Sequence, residues 1–78
     1  METLWLGYNG LVLPFHEIVA VLHYQPALDG RIRQTYGQVP QGVMAVVVTH
    51  HGGYLPARWP AEQLRRRWAT WRSSTVKR

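Results

Sequence analysis

Seventy-eight residues leave room for one small domain, and the absence of cysteine excludes disulfide staples and thiolate metal sites. The composition is 46% hydrophobic with four tryptophans, and the formal net charge is +5. A core this small rarely contributes more than about 3–5 kcal/mol unaided, so much apolar material on a short chain predicts burial between copies of itself.

The predicted elements begin with a hairpin. Thr3 to Leu6 and Leu11 to Leu13 are short apolar stretches on either side of Gly7-Tyr8-Asn9-Gly10, and Asn-Gly between apolar runs is a strong hairpin signal. Pro14, with no N–H for a ladder, interrupts it. Glu17 to Tyr24 is nearly all apolar or aromatic and carries Ile18, Val19 and Val21, which predicts a buried strand. From Pro26 to Gln34, Leu28 and Ile32 have helical spacing despite Gly30, which predicts a short helix.

Tyr36 to Gly42 holds Gly37, Pro40 and Gly42 and is expected to be a loop. Val43 to Thr49 is the clearest strand, His50-His51-Gly52-Gly53 a turn, and Tyr54-Leu55 the start of the returning strand. Pro60 suits the first turn of a closing helix. Ala61, Leu64, Trp68 and Trp71 form one apolar stripe along it, with Arg65, Arg66 and Arg72 expected away from that stripe. Residues 1–72 are thus expected to form a single small domain, with 73–78 as a frayed basic tail. The fold class is α+β: a small, mainly antiparallel sheet, a short middle helix and a C-terminal amphipathic helix, assembling into a ring-like oligomer.

Charge is unevenly placed. Residues 1–50 sum to −1 and residues 51–78 to +6, and eight of the nine cations are arginine. Arginine suits bidentate phosphate contact, so the surplus points to nucleic acid; the plainer alternative is a solvated basic helix that keeps the chain soluble. The acids are only Glu2, Glu17, Asp29 and Glu62, with no close pair for general acid and base work. No Gly-Lys-Ser/Thr follows the glycines, so a phosphate-binding loop is absent. Adjacent His50 and His51 would point to opposite faces if extended, and no third ligand has regular spacing to them, so no metal site is expected. The expectation is a non-enzyme without cofactor or small-molecule substrate. The acidic N-terminus is unlike a secretory signal, and the longest apolar runs fall far short of a membrane span, which suggests a cytoplasmic location without membrane partners.

Leu6-Gly7, Glu17-Ile18-Val19-Ala20-Val21, Thr35-Tyr36-Gly37, Ala45-Val46-Val47-Val48-Thr49, Tyr54-Leu55, and Pro60 leading to Leu64-Arg65-Arg66-Arg67 occur in an order that resembles the small bacterial extracellular-matrix (biofilm) regulators typified by RemA and RemB. The resemblance runs from about residue 4 to residue 68. It implies a transcription regulator with a fold related to LytTR-type DNA-binding domains, built as a ring of subunits around which double-stranded DNA can wrap. One departure matters. Where that family places basic residues after Thr-Tyr-Gly, this chain has the uncharged Gln38-Val39-Pro40-Gln41-Gly42-Val43-Met44, so no DNA-contact arginine transfers by position.

The cations must then come from elsewhere. Arg31 and Arg33 lie just before Thr35-Tyr36-Gly37, and alternation aims both to one side if the chain is extended there. Arg58 precedes the final helix, and Arg65 and Arg66 lie on it. These five are the expected nucleic-acid contacts. Two other readings stay open: a structural or protein-interaction module of the same fold, and an RNA or single-strand binder stacking bases on Tyr36, Trp59 or Tyr54.

Overall fold

The computed structural model describes residues 2–76. Strand β1 (Thr3–Trp5) pairs antiparallel with β2 (Val12–Pro14), in the register Thr3 to Pro14, Leu4 to Leu13 and Trp5 to Val12. A single 3₁₀ turn at Phe15–Glu17 leads to β3 (Ile18–His23), and another at Pro26–Leu28 runs directly into helix α1 (Asp29–Tyr36). Strands β4 (Ala45–Thr49) and β5 (Tyr54–Ala57) follow, then helix α2 (Ala61–Val76). The architecture is α+β, with a two-stranded and a three-stranded antiparallel sheet, the latter in the order β3-β4-β5.

The central strand explains the long apolar run. Ala45, Val46 and Val47 are all fully buried, which alternation permits only if both faces of β4 are covered. Val47 and Ala45 join Val21, Ala57, Leu4, Leu6, Leu13, Phe15, Ala61 and Leu64 in the main core. Val46 and its cross-strand neighbour Pro56 face the other way, toward the side where α1 packs on β5 through the buried Ile32. Pro56 is tolerated within β5 because that strand is an edge and needs no second ladder.

Several expectations change. The run from Glu17 to Tyr24 is an edge strand of six residues that is not buried throughout: Val19, at the register shift between Ile18 and Ala20, is half exposed. Pro14 does not break the hairpin but closes β2, opposite Thr3. The middle helix extends past Gln34 to Tyr36, so Thr35 and Tyr36 are helical and the loop starts at Gly37. Gly37 ends the helix with φ 100°, its N–H donating to the Arg33 carbonyl (2.8 Å), a conformation that only a residue without a β-carbon adopts cheaply. Pro60 stands just before α2, where its carbonyl accepts the first helical bond from Leu64 (3.2 Å). The helix does not stop at Ser73. It continues through Val76, so the expected tail is helical over 73–76, and Lys77 and Arg78 lie outside the described residues.

The stripe on α2 is core. Ala61 and Leu64 are fully buried, Trp68 and Trp71 pack against the core partly buried, and Trp71 stacks on Phe15 with ring centroids 5.6 Å apart.

Candidate nucleic-acid interface

The five arginines expected to meet nucleic acid occupy five different settings. Arg31 and Arg33 sit in α1, not in extended chain, and two residues along a helix are about 200° apart. They therefore flank opposite sides of α1, as the predicted short helix requires; the one-sided arrangement holds only for an extended chain, which this segment is not. Arg31 lies over the Tyr54 ring, 5.0 Å from its centroid. On the same row of the helix, Thr35 Oγ1 accepts the Tyr54 N–H (2.9 Å) and fastens α1 to β5. Gly53 leaves room for this contact, since a β-carbon there would lie 3.2 Å from Thr35 Cγ2. The Thr-Tyr-Gly motif is thus a docking and capping device. Arg33 shares the other row with Asp29, whose Oδ1 accepts the Tyr24 hydroxyl (2.6 Å). That hydrogen bond, with lesser contributions from desolvation and the Asp29 charge, holds the Tyr24 phenol above its ordinary pKa, while Arg33 pulls it down.

Arg65 has a structural job. Its Nε and Nη2 both donate to the Val21 carbonyl, at 3.0 and 2.7 Å. Tyr24 N–H bonds to Met44, so Leu22 and Ala20 direct their backbone groups toward β4, and Val21 directs its own outward. Arg65 therefore satisfies a carbonyl on the open edge of β3. It stands beside the apolar stripe, not away from it, because it is four residues after Ala61 and three before Trp68. Arg72 is likewise four residues past Trp68 and lies 5.1 Å from that ring centroid. Arg66 is exposed on the open side of α2, whereas Arg67, also exposed, borders a pocket with Phe15 and Trp71 on the other flank of the stripe.

Arg58 is confined at its stem. Its backbone N–H donates to the Leu6 carbonyl (2.7 Å), and its side chain leaves β5 between two glycines. A β-carbon on Gly7 would lie 2.5 Å from Arg58 Cβ, and one on Gly42 would lie 3.6 Å from Arg58 Nε. Both glycines have positive φ, 96° and 80°. The guanidinium then lies 5.9 Å from the Tyr8 ring centroid, and the Tyr8 hydroxyl donates to the Gln41 carbonyl (2.9 Å), which ties the β1–β2 turn to the loop before β4. Burial raises the Tyr8 pKa; the Arg58 charge opposes that rise and Tyr36 adds to it.

Two tryptophans border this socket. Trp59 Nε1 donates to the Trp5 carbonyl (3.1 Å) and Trp5 Nε1 to the Tyr8 carbonyl (2.8 Å), while the rings meet edge to face at 5.8 Å. The link between Trp5 and Trp59 crosses 54 positions and has no local signature. Of the expected stacking residues, Tyr54 is covered by Arg31, and Tyr36 and Trp59 are partly buried; Trp5, not among them, is 51% exposed.

Among the described residues, no arginine forms an ion pair with Glu2, Glu17, Asp29 or Glu62. No group of three or more His, Asp or Glu residues converges to hold a metal among them. His50 and His51 lie in a turn, not in extended chain, so their rings lie together at 4.1 Å instead of on opposite faces. No described helix is long and apolar enough to cross a membrane. Comparison with protein-family models, curated proteins and solved structures finds no match.

Proposed function

We propose that this chain is a DNA-binding transcription regulator of the matrix-regulator type, acting in the cytoplasm without catalysis. Several copies form a ring that grips duplex phosphates through arginines. The observation that carries this reading is the set of exposed arginines, Arg31, Arg33, Arg58 and Arg66, with no carboxylate partner inside the described chain. Unpaired guanidinium groups on a chain of net charge +5 favour a polyanion, and releasing its counterions drives association. The resemblance to RemA and RemB supports the ring. So does the open β3 edge with half-exposed Val19 in a domain too small to be strongly stable alone.

Two candidates change weight. Arg65 is committed to the Val21 carbonyl, so its role is to hold α2 on the sheet; Arg66 carries the α2 contribution to phosphate contact. Arg31 and Arg33 meet different strands of the nucleic acid or different subunits' phosphates, since they lie on opposite sides of α1.

The test is a salt series of duplex-binding titrations by fluorescence anisotropy, with light scattering on the same samples. Arg31→Ala with Arg33→Ala should weaken binding alike on all sequences and flatten the plot of log affinity against log salt by about 0.9 per phosphate contact removed. The mass should be several times the 9.0 kDa monomer. Absence of duplex binding at low salt would transfer the assignment to the protein-interaction reading, which exposed Trp5, Val12, Val19 and Met44 favour. A well-folded monomer at micromolar concentration would remove the ring.

A further inference from the structure

We infer that Trp5 and Arg58 form a site for a single unpaired nucleotide, its base stacked on the Trp5 indole and its phosphate on the Arg58 guanidinium. This inference rests on the nucleic-acid reading above and adds to it a preference for locally opened DNA.

The indole is held in place yet left uncovered. The indole N–H donates to the Tyr8 carbonyl, and the Trp5 backbone carbonyl accepts from Trp59 Nε1, so the indole has no donor left for a ligand. What remains is 51% of the residue's surface, carbon-rich and on the outer side of the hairpin. The edge-to-face contact with Trp59 covers at most one ring face. A partner must therefore bind Trp5 through a flat apolar surface and not through hydrogen bonds. Such a residue, ordered before the ligand arrives, loses little entropy on binding.

The neighbouring charge selects among flat ligands. Arg58 rises from the same socket: Gly7, next to Tyr8, is in contact with both the Arg58 stem and the Trp59 ring. Tyr8 supports the guanidinium on one side while its own carbonyl anchors Trp5. The stem of that side chain passes where a β-carbon on Gly7 would lie 2.5 Å away, a fit that a merely solvated surface cation does not require. No described carboxylate neutralises it. A ligand that pairs an aromatic plane with an adjoining anion matches both halves, and a nucleotide does so with any of its bases. A base within an intact duplex cannot, because its neighbours already cover both faces. Hence the ligand is an unstacked nucleotide.

The experiment compares a fully paired duplex with the same duplex carrying a short central bubble of unpaired thymidines, by anisotropy at fixed salt. The bubble should bind tighter by about 5- to 100-fold, the range that base–aromatic stacking supplies. Trp5→Leu, which keeps apolar bulk without a π-face, should bring the ratio to about one, and Trp5→Phe should keep most of the preference. Arg58→Gln should flatten the salt slope for the bubble by about 0.7, the value for a single-strand phosphate. Equal affinity for the two probes overturns the site while leaving phosphate binding intact. So does a preference that survives Trp5→Leu, or a change of assembly mass in that variant, which would make Trp5 a subunit contact. Failure of both probes to bind overturns the nucleic-acid reading itself.

Discussion

Replacing Arg65 by alanine separates a structural arginine from a nucleic-acid arginine. The side chain donates twice to one carbonyl, at 3.0 and 2.7 Å, on the outward side of an edge strand. A hydrogen bond from a charged group contributes about 1.5–3 kcal/mol to stability. Water can reach this partly buried carbonyl once the guanidinium is gone, so the lower end applies and the expected loss is about 1.5 kcal/mol. For a domain of this size each kcal/mol shifts the midpoint by about 4–8 °C, which places the fall in Tm at about 6–12 °C. Arg65→Lys restores the charge but not the fork, and should recover less than half of the loss. Arg66→Ala, one residue on and exposed, should stay within about 0.5 kcal/mol of the parent protein. Thermal unfolding followed by far-ultraviolet circular dichroism reads all three. An Arg65→Ala protein as stable as Arg66→Ala, with a flattened salt slope for duplex binding, would refute the clamp and return Arg65 to the phosphate face.

Leu64→Ala should cost about 3 kcal/mol, because Leu64 is fully buried in the main core, whereas Trp68→Ala should cost less than the loss usual for a buried aromatic because Trp68 is only partly buried; chemical denaturation gives both values. Gly7→Ala and Gly10→Ala share positive φ, 96° and 76°, but only Gly7 meets a neighbour, Arg58 Cβ at 2.5 Å. Gly10→Ala should therefore cost about 1 kcal/mol and Gly7→Ala about 1–3 kcal/mol more, and equal losses would show that the Arg58 socket is not closed. The Tyr24 phenol, raised by its bond to Asp29, favours the folded state while protonated, so its contribution is complete below the ordinary phenol pKa of about 10 and is lost as pH rises through the raised folded value. In an ultraviolet titration Tyr24→Phe should remove a late-ionising tyrosine, and an unchanged late phase would contradict the bond.

Periodicity and turn chemistry alone determined much of this protein. Alternation and β-branching located β4 within Val43 to Thr49, Asn-Gly located the hairpin, and the spacing of Ala61, Leu64, Trp68 and Trp71 identified the face of α2 that enters the core. These are local signals, because a strand or helix buries whichever face its own sequence makes apolar. Arg65, which that spacing was expected to leave away from the stripe, lies beside it, four residues after Ala61. Its carbonyl partner could not be read there, since Val21 lies 44 positions away and is open only because the sheet order leaves β3 at an edge. Arg31 and Arg33 fall within the short helix that the spacing of Leu28 and Ile32 predicts, and a period of 3.6 sends to opposite sides what the extended alternative would align. The Arg58 socket belongs wholly to the tertiary structure. Gly7, Gly42, Tyr8 and Arg58 come from the hairpin, a loop and the end of β5, and each is unremarkable in its own stretch of chain. Only the folded chain brings two positive-φ glycines against one arginine stem. Sequence patterning encodes which surfaces must be buried; long-range packing decides which polar groups are left over, and where.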